Sequence, residues 1–205
     1  LWLGWFGFNG GSQLAWGGDD SVAASTVVLI TNLAAAAGAL GALITTWIWY
    51  GKPNLAQSLN GALAGLVSIT AGCGNMTAGG AVLAGLIGGV IVVFSIEIIE
   101  KKLKIDDAIG AASVHGIVGF WGTIVIGLWG VDGDDGLGLF NGGGADQLIA
   151  QLTGGVAYAV WAVVLSFIVF GILKKTVGLR VTEEEEVAGL DISEHGTIAY
   201  PGKGE

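Results

Sequence analysis

Between Asp107 and Asp132 a single ionisable side chain, His115, stands in the run AIGAASVHGIVGFWGTIVIGLWG (108–130). A histidine in an apolar run of span length is costly unless it faces a polar cavity or a partner. In a membrane helix it is read first as a functional residue. Near neutral pH an imidazole can accept a hydrogen bond or relay a proton. Two other readings stay open on the residues alone. One is a histidine bonded to a neighbouring helix. The other is a haem or metal ligand, which needs a second ligand in another span, and His195 lies in the polar tail. A second group opens the chain: GWFGFN sets Trp5 and Phe8 three apart, with Ser12 four further on. On a helix these three share one side. Aromatic faces attract a cation through the ring quadrupole, and a serine hydroxyl adds an acceptor for a cation that keeps its donors. An interfacial aromatic belt is the alternative; it suits Trp47 and Trp49, beside Lys52, better than Trp2 and Trp5. Thr70, in LVSITAGCG, is a third candidate, although a threonine there often bonds its own helix backbone.

The elements that must position these residues are membrane spans. The sequence of 205 residues is 53% hydrophobic and only 12% charged, with a mean hydropathy of +0.73. A soluble domain carries about 25% charged residues. Five segments reach the roughly 20 residues a span needs: about 21–50, 55–73, 78–99, 108–130 and 147–173. The opening LWLGWFGFNGGS (1–12) reads as the end of a sixth helix, so the sequence is expected to begin inside a span of a longer protein. The fold class is therefore all-α and polytopic, with a membrane domain over 1–177 and a polar tail over 178–205.

The connections fix the expected orientation. Lys52, the group Lys101, Lys102 and Lys104, and the group Lys174, Lys175 and Arg180 fall in alternate connections, and Lys203 falls in the tail. The opposite side, with Asp19 and Asp20, holds only acids. By the positive-inside rule the C-terminus is cytoplasmic. His115 lies eight residues past Asp107, which on a helix begun at the aspartates is about 12 Å deep. Asp106 and Asp107 read as N-cap residues of that helix. Small residues recur at helix-contact spacing: Gly61 with Gly65, Gly85 with Gly89, and Ala34, Gly38 and Ala42.

Other functions are excluded or disfavoured. A net charge of −9 lacks the basic face that nucleic acid requires. The single Cys73 allows no internal disulfide and reads as a small packing residue. GVDGDDGLG (130–138) has acidic spacing loosely like a calcium loop but no closing glutamate. TEEEE (182–186) reads as a solvated charge run rather than a short helix.

Four motifs in order resemble the ammonium transporter (Amt/Mep/Rh) family, in its bacterial and archaeal Amt branch. They are GWFGFNGGS (4–12), AGLVSITAGCG (64–74), KIDDAIGAASVHGIVGFWGT (104–123) and GLRVTEEEEVAGLDISEHG (178–196). The resemblance covers nearly the whole chain. It implies the ammonium-transporter fold: the second inverted-repeat half, helices six to ten, with the final outer helix and a short cytoplasmic tail. It implies a homotrimer in the cell membrane, each subunit with its own pore for ammonium or ammonia, and no cofactor or enzymatic activity. Phe8 then matches the outer gate, Ser12 the ammonium recruitment site, Trp5 and Thr70 the pore wall, and His115 the second of two paired pore histidines. Gly189, Asp191 and His195 lie in the tail motif, in a region that in many members responds to PII-type signalling proteins. Departures stand at Gly10, which changes the mouth only slightly, and at Ala71-Gly72-Cys73 and Ala108, which concern helix starts more than chemistry. The first pore histidine, the aspartate of the fifth helix and the second gate aromatic belong to helices this sequence does not include. An ammonium sensor and an Rh-like gas channel are the competing functions; the Amt-type tail motif argues against the second.

Overall fold

The computed structural model describes residues 1–131 and 136–200. Every regular element among them is helical: α1 (Trp2–Gly11), α2 (Asp19–Tyr50), α3 (Leu55–Thr70), α4 (Ala78–Ile96), α5 (Val118–Trp129), α6 (Asp146–Thr176), α7 (Glu183–Ala188) and α8 (Leu190–His195), with a short 3-10 turn at Leu139–Asn141. α4 continues as a π-helical turn over Glu97–Lys102, and a second π turn, Ala112–Ile117, leads into α5. The chain forms two compact units, Leu1–Val156 and Ala157–Glu205, divided within α6.

In the first unit α2 packs against both α3 and α4, which also touch each other. Small residues permit this. A Cβ on Gly65 would lie 2.1 Å from the Ala34 carbonyl oxygen, and one on Gly85 2.2 Å from the same atom. One turn on, a Cβ on Gly89 would lie 2.2 Å from the Gly38 oxygen, and one on Gly61 2.6 Å from it. α2 therefore presents carbonyls into notches on two helices, the close approach expected of the Gly61/Gly65, Gly85/Gly89 and Ala34/Gly38/Ala42 sets. α5 lies against α3 and α4, and α1 against α2. Cys73 is buried in the cluster that also holds Ile69 and Met76.

Four helical stretches are long and apolar enough to cross a membrane: Asp19–Tyr50, Ala78–Lys102, Ala112–Trp129 and Asp146–Thr176. The segment expected over 55–73 is shorter. α3 has 16 residues, capped by Asn54, whose side chain accepts from the Gln57 amide at 3.0 Å. It ends because the Gly72 amide turns back to Ile69 O at 3.0 Å. The span expected over 108–130 also begins late. Gly110, at φ +73°, keeps the chain out of a helix just before Ala111. The turns after α3 and α5 meet on one side of the bundle: the Val131 amide donates to Asn75 Oδ1 at 2.7 Å. That agrees with the alternation inferred from the connections.

In the second unit the acidic run departs from its expectation as a solvated stretch. Glu183–Ala188 is helical, closed by a capping box. The Glu185 amide donates to Thr182 Oγ1 at 3.3 Å, and the Thr182 amide to Glu185 Oε2 at 2.9 Å. The Thr-x-x-Glu spacing satisfies two free amides, and glutamates in a first turn complement the helix dipole; charge density alone hides both effects. The Thr182 amide, then its hydroxyl, hold the Glu185 carboxyl below the usual glutamate range. A depressed folded pKa gives stability that is present above the ordinary value and lost as pH falls through the depressed one. Amide protection in α7 is therefore expected to be greater at neutral pH than after acidification, and Thr182→Ala to remove that pH dependence. Exchange in α7 independent of both would overturn this.

Candidate functional site

Trp5 is the hub. Its indole Nε1 donates to Thr70 Oγ1 at 2.7 Å, across 65 residues of sequence. Thr70 is thereby doubly used, since its own hydroxyl donates to Leu66 O at 2.7 Å. The threonine does bond its own helix, and its remaining acceptor capacity fixes the tryptophan. Phe8 stands edge-on to Trp5, ring centroids 5.9 Å apart at 89°. His115 lies parallel to Trp5, centroids 6.4 Å apart at 1°. Phe8 is 60% exposed, and His115 is exposed with its neighbours Gly116 and Ile117. Four of the sequence candidates thus converge on one open face formed by α1, α3 and the turn before α5.

Ser12 caps the end of α1, one turn beyond Phe8. Its hydroxyl donates to Phe8 O at 2.8 Å and is exposed. With its proton committed, the oxygen is left to accept. The tail candidates belong to the second unit. Gly189, at φ +89°, separates α7 from α8, Asp191 Oδ2 accepts from the Ala199 amide at 3.0 Å, and His195 is the exposed last residue of α8.

Asp107 caps its helix from further away than expected. The aspartate is buried, and its carboxylate accepts from the Ala112 amide at 2.8 Å, the Ser113 amide at 3.0 Å and the Ser113 hydroxyl at 2.8 Å. Asp106 is exposed. The helix therefore starts at about Ala112 and not at the aspartates, so a helical rise counted from Asp107 does not measure the depth of His115. Burial alone would raise the Asp107 pKa. The bonds from Ala112 and from the Ser113 hydroxyl and amide outweigh it, and the carboxyl sits below the usual aspartate range. Its contribution to stability is present above the ordinary value of about 4 and is lost as pH falls through the lowered one. Thermal unfolding of the wild type is expected to lose stability in that acid window, and Asp107→Asn to lack that component. Identical acid profiles for the two would overturn this.

Asn9 was not singled out from the sequence. It is 1% exposed, and its Nδ2 donates to Thr31 Oγ1 at 3.0 Å. Thr31 donates its own proton to Val27 O, so the amide must present its nitrogen to Thr31. That leaves Asn9 Oδ1 buried without a partner, next in sequence to Phe8. The available signal was a lone amide in an apolar helix four residues after Trp5. Asp132, Asp134 and Asp135, weighed for calcium, lie outside the described residues.

Known proteins share this chain's sequence and fold. The model of the Ammonium Transporter Family matches residues 1–200. The ammonium transporter Amt2 of Archaeoglobus fulgidus is 43% identical over 98% of this chain and 44% of its own length. The ammonium transporter of Bacillus subtilis is 38% identical over 98% of this chain and 49% of its own. Among solved structures, a Sensor Amt Protein superposes with a TM-score of 0.86 at 39% identity, covering 95% of this chain and 47% of that one. Mep2 of Candida albicans gives 0.80 at 32% identity, covering 90% of this chain and 42% of that one. The chain thus spans less than half the length of these relatives. Its long apolar helices make it a multi-pass membrane protein. It belongs to the Ammonium Transporter Family.

Proposed function

We propose that the complete protein carries ammonium across the cell membrane, with residues 1–177 in the membrane and 178–205 as a cytoplasmic tail. The observation that carries the reading is the file around Trp5: Phe8 edge-on, Thr70 hydrogen-bonded, His115 parallel. Phe8 and Ser12 hold NH4+ at the outer mouth by its charge and its N–H donors. Beyond them an apolar passage rejects a hydrated ion, because burying an unpaired charge is very costly. NH4+ can shed a proton and pass as NH3; K+ cannot. His115, working with a second histidine from outside this sequence, accepts the substrate's hydrogen bond and relays the proton. Three copies form the trimer, and the tail, with Gly189, Asp191 and His195, is the face that a PII-type protein reads.

The test is uptake by the complete protein in cells lacking ammonium transporters of their own. Growth on low ammonium, with methylammonium uptake that ammonium inhibits, is expected. Absence of both with the protein present in the membrane would overturn the reading. Similarity to a Sensor Amt Protein supports a second reading, a sensor that responds to ammonium through its tail. Binding and signalling without flux would select it.

A further inference from the structure

We propose that Asp107 and Ser113 are positioning residues for His115: together they hold the π-helical turn that aims the imidazole at the open face. The proposal rests on the reading that His115 meets the substrate.

The turn covers Ala112–Ile117, and the Val118 amide closes it on Ser113 O. π turns are rare in proteins, occur mostly as single turns inserted in α-helices, and concentrate at functional sites. Each closes five residues back instead of four, so it takes up an extra residue and changes which way the preceding side chains point. Here that change has a visible result. The buried side of α5 runs through Val118, Gly122 and Val125. Continued backwards as an α-helix at about 100° per residue, His115 would lie only about 60° from Val118. In the π turn Ser113 and Val114 fill the interior, at 0% and 1% exposure, and His115 is turned out alongside Trp5.

What holds the turn in this form is its first residues. The Asp107 carboxylate takes the amides of Ala112 and Ser113, and also the Ser113 hydroxyl. An ordinary N-cap takes one or two amides from the residue next to the helix. This carboxylate reaches five and six residues along the chain, over the loop closed by the Gly110 amide on Asp107 O at 2.7 Å. The Ser113 hydroxyl, buried in the bundle, is committed to Asp107 and not to its own helix. Without it the first turn can rewind to α geometry, carrying His115 toward the interior.

The experiment compares Asp107→Asn, Ser113→Ala, Ser113→Thr and His115→Ala in the complete protein, by two measurements. One is ammonium flux with discrimination against K+. The other is the 15N NMR signature of the His115 ring, identified by its disappearance in His115→Ala. Ser113→Ala is expected to reach the membrane in normal amount, to move the His115 nitrogen shifts, and to lower flux or discrimination by roughly tenfold, as small misplacements at a reacting site do. Asp107→Asn should do the same, and Ser113→Thr should restore both readouts. Unshifted His115 nitrogens with wild-type flux in Ser113→Ala would reduce the pair to a plain helix cap and overturn the proposal. If Asp107→Asn does not fold, the Ser113 variants decide. If His115→Ala itself transports normally, the functional reading fails, and the nitrogen shifts alone still judge the positioning.

Discussion

Replacing His115 with alanine in the complete protein is expected to cut ammonium flux at least about a hundredfold, the scale of a positioned acid–base group, or to open the passage to K+. The histidine lies beside the hub of the site, parallel to Trp5 with centroids 6.4 Å apart. It is also the only ionisable side chain among the described residues from Ala108 to Val131. Alanine removes the one group there that can accept a proton and, in the proposed passage, leaves more room beside Gly116. The two effects separate by measurement. Loss of the relay lowers ammonium flux, whereas a wider, wetter passage admits K+. Flux and selectivity both at the wild-type level would exclude a relay at this position, whatever the protein transports.

Gly85→Val is expected to leave no folded bundle, at a cost of about 4 kcal/mol or more, the range of the severest single substitutions. A Cβ there would sit 2.2 Å from the Ala34 oxygen and 2.9 Å from that residue's carbonyl carbon and Cα. All three are backbone atoms in the middle of a 32-residue helix, so no rotamer change relieves the clash. α4 would have to move away from α2, and Gly89, one turn on, would lose its contact with the Gly38 carbonyl. The control is Gly7→Ala in α1, where an added Cβ meets nothing within 4 Å. That change should be neutral or slightly stabilising, because alanine is the better helix former. The check is recovery of monodisperse protein in detergent and its unfolding temperature. Recovery of Gly85→Val at wild-type stability would show that the α2–α4 contact does not hold the bundle.

Much of this architecture was legible in the sequence, and what was hidden has identifiable causes. Span existence follows from apolar runs longer than a globular core needs. The seam of α2 was visible because small residues at four-residue spacing serve almost no other purpose in a membrane. Element ends were less visible. Asp107 acts on Ala112 and Ser113 across a loop, and hydropathy does not register the difference between a π and an α turn. The tail helix was hidden because a run of glutamates reads as solvated charge, whereas its helicity depends on the Thr182–Glu185 capping box. The site itself divides in the same way. Trp5 and Phe8 are neighbours on one helix, so their pairing could be read from spacing. The Trp5–Thr70 bond and the parallel Trp5–His115 rings join residues far apart in the chain, and neither spacing nor the family resemblance specified those contacts. Asn9 escaped because a single buried amide looks unremarkable until Thr31 is seen to fix which way it faces.

The grip of α3 and α4 on α2 also sets an order of events during synthesis. α2 leaves the ribosome before either helix that will cover it. It carries no charged side chain from Ser21 to Tyr50, so it can wait alone in lipid. α3 cannot: at 16 residues, about 24 Å of helix, it is short for a bilayer core of about 30 Å, and it carries Gln57, Ser58 and Asn60. The Gly61–Gly65 notch gives it a mate already in place, and α4 then closes the other side through Gly85 and Gly89. Short and polar at one end, α3 is expected to integrate with α2 as its partner, so a fault at the Ala34 or Gly38 contacts should surface first as failed membrane integration.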